Sequence, residues 1–130
     1  MVSAVGLLPS LHLLTSSGPE HLRACSIVGG LVVECALKAF LSHTGIAENK
    51  LRDSLLRHNL EALWAKAAER GLFIKLPTPQ WCVTLNSLHD QPYHLRYQSK
   101  VHGLSFPVPS DMIAGLSALV ATVELALTQT

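Results

Sequence analysis

Glu34 and Lys38 stand four residues apart inside an otherwise apolar run, VVECALKAFL. On a helix that spacing puts both side chains on one face, in the order that favours Glu-to-Lys attraction. Exposed, such a pair contributes only roughly 0.3 kcal/mol. The apolar surroundings predict partial burial instead, where an unpaired charge is costly. Each then needs the other, or partners from elsewhere, and His58, Arg96 and Tyr97 are the candidates. A polar cluster of Glu34, Lys38, His58 and Arg96 crossing three helices would either bind a ligand or fix how the helices dock.

Other chemistry-bearing residues form weaker patterns. His89, Asp90 and His94 could each ligate a metal, but no closely spaced His/Cys set completes a tetrahedral site, so neither a metal nor a cofactor is expected. Cys25, Cys35 and Cys82 are odd in number, contain no CxxC pair and lie in apolar helical patterns. They read as small buried hydrophobes in a reducing, cytoplasmic compartment. Gly29-Gly30 lacks the preceding strand and following lysine of a phosphate-binding loop. Trp81, Tyr93 and Tyr97 could stack on bases, although aromatics at helical spacing more often fill a core.

The elements that must position these groups are helical. One domain of 130 residues is expected, 48% apolar, 15% charged, with a net charge of +1. The high apolar content predicts a second buried surface, a self-association interface between two copies. With no basic tail or Lys/Arg run, nothing in the sequence advertises sequence-independent binding to long duplex DNA, while a small basic site is compatible with it. The N-terminal stretch 1–14 carries no Lys or Arg, which argues against a secretory signal. Residues 112–127 are short for a membrane span and include Glu124, so no membrane association is expected.

Residues 1–18 read as a short helix broken near Pro9, or as an arm. A helix is expected over 19–43, stopped by Gly45; at Gly29-Gly30 either another helix packs closely or the helix breaks. Residues 47–54 read as a polar linker or short helical turn. A helix over 53–70 then presents Leu56, Leu60, Leu63, Trp64 and Ala67 on one face and ends at Gly71. A further helix covers 79–89, with Trp81, Leu85 and Leu88 inward. The stretch 90–110 reads as a loop dense in polar and aromatic groups. The last helix starts near the cap pair Ser110-Asp111 and is apolar on both sides, which predicts burial on both sides, as a central helix or at a dimer seam. The fold class is therefore all-α, a four- to five-helix up-down bundle.

The segments VVECALKAFLSHTG, LLRHNLEALWAKAAERGL and PYHLRY resemble the HEPN superfamily over roughly residues 24–128. The signatures are Glu34-x-x-Leu37-Lys38, then His58-Asn59-Leu60 with Leu63, then Arg96-Tyr97. The resemblance implies a helical bundle that dimerises and either cuts RNA, binds a nucleotide or RNA, or pairs with a nucleotidyltransferase, often within a toxin-antitoxin or defence pair.

HEPN ribonucleases share an arginine followed, after four to six residues, by a histidine. Histidine can move the proton of the 2′-hydroxyl nucleophile, and arginine can steady the phosphorane charge, with no metal required. Arg52 with His58, and Arg96 with His102, fit that spacing. Six residues separate side chains by about 240° on a helix, so a working pair needs a bend between them. Arg96 and His102 have that freedom and are the candidate catalytic pair of a metal-independent endoribonuclease. Tyr97 stands where a small polar residue commonly follows the arginine, and Gly103 and a proline-rich loop follow the histidine. These departures favour a non-catalytic module that binds through Glu34, Lys38, His58, Arg96 and Tyr97.

Overall fold

A glycine pair that could have broken the second helix instead lets its neighbours close on it. The computed structural model describes residues 1–16, 21–53, 56–89 and 106–129. Within them lie six helices and no strand: α1 (Val2–Ser16), α2 (Leu22–His43), α3 (Glu48–Leu51), α4 (Leu60–Glu69), α5 (Gln80–His89) and α6 (Pro109–Thr128). The helix α2 runs unbroken through Gly29 and Gly30, both buried. A Cβ on Gly29 would lie 2.9 Å from the Met112 sulfur of α6, and one on Gly30 would overlap the His89 ring of α5. Close packing, not a break, is why glycines stand there.

Around α2 pack α1, α4, α5 and α6, and α2 is the central helix of the bundle. Its inward residues Val32, Val33, Leu37 and Leu41 meet Leu60 and Leu63 of α4, Leu85 of α5, and Leu116, Leu119 and Val123 of α6 in one core. Sequence patterning marked the last helix as apolar on both sides, suited to a central helix or a dimer seam; within the chain α2, not α6, takes the central place. Met112, Leu116, Leu119, Val120 and Val123 of α6 are buried, but Ala114, Ala118, Ala121 and Leu125 face outward. At 20 residues α6 is longer than the apolar run suggested, and by length and composition α2 and α6 could each cross a membrane, although most of α2 is enclosed by the bundle.

Local signals fix the helix ends. Gly45 and Gly71 take φ of +100° and +102°, the left-handed region that a side chain disfavours. After α2, Gly45 N–H donates to Ser42 O and Ile46 N–H to Leu41 O; after α4, Gly71 N–H donates to Ala68 O and Leu72 N–H to Ala67 O. Both are Schellman closures, and Ile46 and Leu72 fold back into the core. The helix expected over 53–70 begins only at Leu60, because Asn59 is extended and its side-chain oxygen caps Ala62 N–H at 3.1 Å. The linker over 47–54 contains the single-turn α3. Pro9 lies inside a continuous α1 and does not end it. Ser110-Asp111 is not the cap of α6: Val108 occupies that position without a side-chain hydrogen bond, and Pro109 opens the helix at its first turn.

Where α5 meets α6, Gly115 faces Trp81 so closely that a Cβ would overlap the indole. Gly115→Ala should therefore lower stability by about 1–3 kcal/mol, read as a shift in the urea midpoint. Gly6→Ala, in α1 with open space around it, should leave the midpoint unchanged or raise it.

Candidate functional site

The central helix carries one carboxylate in its buried half. Glu34 is 13% exposed, and three donors from three places in the chain converge on it. Lys38, one turn along α2, donates from Nζ to Oε2 at 3.1 Å. His58, just before α4, approaches Oε1 through Nδ1 at 2.8 Å. His89, the last residue of α5, approaches the same Oε1 through Nε2 at 2.8 Å. The two imidazoles meet edge to face, 6.0 Å between centroids at 85°.

Burial works to raise the Glu34 carboxyl, but hydrogen bonds from His89, His58 and Lys38, with the Lys38 charge, outweigh it and hold the group down at about 2. The carboxylate is thus ionised and can only accept, so both rings donate their facing N–H. His58 keeps Nε2 and His89 keeps Nδ1 as second nitrogens.

The chain places these rings by local structure. His58-Asn59-Leu60 divides three tasks among neighbours: His58 reaches Glu34, Asn59 caps α4, and Leu60 enters the core. From α5, Asn86 Oδ1 accepts Leu60 N–H at 2.7 Å, and its Nδ2 donates to Asn59 Oδ1 at 3.3 Å and Glu61 Oε1 at 3.4 Å. Asn86 and His89 are three apart on one face of α5, so both reach the start of α4. The His89 ring rests where Gly30 has no side chain.

Of the expected cluster, the structure unites Glu34, Lys38 and His58. Arg96 and Tyr97, like the catalytic candidate His102, lie outside the described residues, as do Tyr93 and His94. Arg52 and His58 are not brought to a common site: Arg52 bonds Glu48 at 3.0 Å on the surface, while His58 turns to Glu34. His89 is the member that sequence reasoning missed as a partner of Glu34. The pairing of Asn86 and His89 on the inner side of an amphipathic helix was the available signal. Oε1 of Glu34 and one ring nitrogen each of His58 and His89 also form a set of potential metal-ligand atoms, all within 4.8 Å of one another, which joins His89 to residues distant in the chain rather than to the neighbouring Asp90 and His94.

Cys25 and Cys82 are buried, as expected of small hydrophobes, whereas Cys35 is only half-buried. Burial pushes the Cys82 thiol up to about 12 and raises Cys25 as well; Cys35 is raised by burial and by the neighbouring Glu34 charge. A separate groove of about 510 Å³ is lined by Trp64, Phe73, Ile74, Trp81, Ala118 and Leu119 among others. Trp64 and Trp81 pack edge to face at 5.9 Å, and Trp64 Nε1 donates to Lys75 O at 2.8 Å. Trp81 thus packs against Trp64 and lines the groove. The groove shares no residue with the Glu34 cluster. Compared with known proteins, the chain matches no family model, no curated protein and no solved structure.

The Glu34 group sets a pH dependence. Its folded value of about 2 lies below the ordinary 4.5, so its stabilisation is present above pH 4.5 and is lost as pH falls towards 2. The difference corresponds to at most about 3 kcal/mol. Urea midpoints should fall through that window more steeply for the native chain than for Glu34→Gln; parallel slopes would show that Glu34 is not held this way.

Proposed function

We infer that this chain is a non-catalytic, HEPN-like helical module of the cytoplasm that binds a nucleotide or RNA segment beside His58 and assembles through its apolar exterior. The observation that carries the binding role is the state of the His58 ring. It is 46% exposed and fixed through Nδ1 to a buried carboxylate, which leaves Nε2 for a ligand. The Lys38 ammonium shares the same carboxylate and is 23% exposed, and the exposed Arg57 precedes His58 in the chain. Lys38 and Arg57 offer donors and positive charge to a phosphate, and His58 Nε2 donates to it in the doubly protonated ring, since with Nδ1–H alone that nitrogen can only accept. Glu34 is spent on holding them: with both oxygens engaged and its carboxyl near 2, it makes a poor general base near neutral pH.

The assembly role draws on the surface. Phe73 is 95% exposed at the apolar groove, and Leu125 is 61% exposed on the outer face of α6. Apolar surface of this extent supports a homodimer, or docking on a partner such as a nucleotidyltransferase in a toxin-antitoxin or defence pair.

Fluorescence anisotropy with labelled single-stranded RNA and with ATP, at low salt, tests the binding role. Binding should weaken by about tenfold in His58→Ala, as expected for loss of a hydrogen bond to a charged group. Absence of binding to both probes overturns it. Metal-independent RNA cleavage that disappears in His102→Ala would replace it with the endoribonuclease reading. Sedimentation of the full chain should show a dimer that Leu125→Arg converts to monomer; a monomeric native chain removes the homodimer.

A further inference from the structure

The two histidines and the glutamate form a more specific chemical object than a phosphate-facing surface. We propose that Glu34, His58 and His89 are the three protein ligands of a divalent transition-metal site of the zinc class, with a fourth position open to solvent on the His58 side. Two imidazoles and one carboxylate suit zinc and its neighbours in the first row, whereas calcium and magnesium prefer all-oxygen shells. Three protein ligands with one open position is the pattern of a zinc site that can take water or an exogenous ligand.

The geometry supports the assignment. Glu34 Oε1, His58 Nδ1 and His89 Nε2 lie within 4.8 Å of one another, and each nitrogen is 2.8 Å from the oxygen. Ligands about 2.0–2.1 Å from a tetrahedral ion stand about 3.4 Å apart. Each nitrogen–oxygen pair would open by about 0.6 Å: the half-exposed His58 ring can move outward, and the Glu34 carboxylate has to shift away from the largely buried His89 ring. The facing protons then shift to the second ring nitrogens or leave to solvent, since a ligating nitrogen must be unprotonated.

The second layer is also in place. Lys38 holds Oε2 at 3.1 Å, which orients the carboxylate and leaves Oε1 for the ion. Its positive charge opposes the cation, so binding should be weaker than at closed four-ligand structural sites. Gly30 admits the His89 ring against α2, and the Asn59–Asn86 hydrogen bonds tie the start of α4 to α5. The three ligands come from segments 24 and 31 residues apart along the chain, so an ion would clamp α2, the entrance of α4 and the end of α5 together.

This inference does not rest on nucleotide binding, and its test reads the metal directly. The full chain is stripped with chelator, kept reduced, and titrated with zinc by calorimetry and with cobalt by visible absorption. One ion per chain is expected, with cobalt absorption typical of four- or five-coordination by nitrogen and oxygen and without a thiolate charge-transfer band. His58→Ala, at a half-exposed position, should retain helical circular dichroism and lose at least about tenfold in zinc affinity. Because a variant at His89 could disturb the core, NMR of the imidazole nitrogens in the native chain gives a second readout: zinc should shift His58 and His89. No zinc uptake, a thiolate band, or uptake that leaves these two rings and the His58→Ala affinity unchanged overturns the proposal.

Discussion

A single negative charge buried on the central helix constrains everything around it. Glu34 sits in a run of residues that belong in a core, and an ionised carboxylate there is tolerable only if its oxygens are occupied by donors. Lys38 can supply one of them from the same helix. The other two must come from different parts of the chain, and they do, from the entrance of α4 and the end of α5. The packing of α4 and α5 on α2 is therefore tied to a polar requirement as well as to apolar burial. A shift of either element would leave Glu34 with an unsatisfied lone pair in a poorly solvated place, a cost comparable to a lost hydrogen bond or more.

Steric constraint and electrostatic constraint meet at adjacent positions. Gly29 admits Met112 and lets α6 approach α2, while Gly30 admits the imidazole that completes the Glu34 cluster. A larger residue at either position would push away a different helix. Gly115 does the same for Trp81 between α6 and α5. Three small residues thus set the distances at which α5 and α6 lie, and one of them positions a functional candidate directly.

The polar and apolar features divide the molecule's surface chemistry. Around Glu34 the groups are cationic or can become so, and the half-exposed His58 connects that interior cluster to solvent. Elsewhere the partly exposed Trp81, the projecting Phe73 and the outer face of α6 form an apolar exterior with little charge. The first is suited to small polar ligands or ions and the second to protein surfaces.

Much of this was legible in the residues. Helical periodicity marked the core faces of α4 and α5; glycines marked two helix ends, since only a residue without Cβ takes the left-handed turn easily; and a Glu and Lys one turn apart in an apolar run announced a buried polar cluster needing partners. The sequence even nominated His58. What it could not determine was set by contacts between segments distant along the chain. His89 became a partner of Glu34 through α5 packing on α2. Asn59 won the start of α4 through its cap and its bond to Asn86, and α2 rather than the last helix took the central place. Periodicity and capping act over one or two turns and are written locally. Which side chains meet across 24 or 55 residues depends on how whole helices dock, and only the tertiary structure decides that.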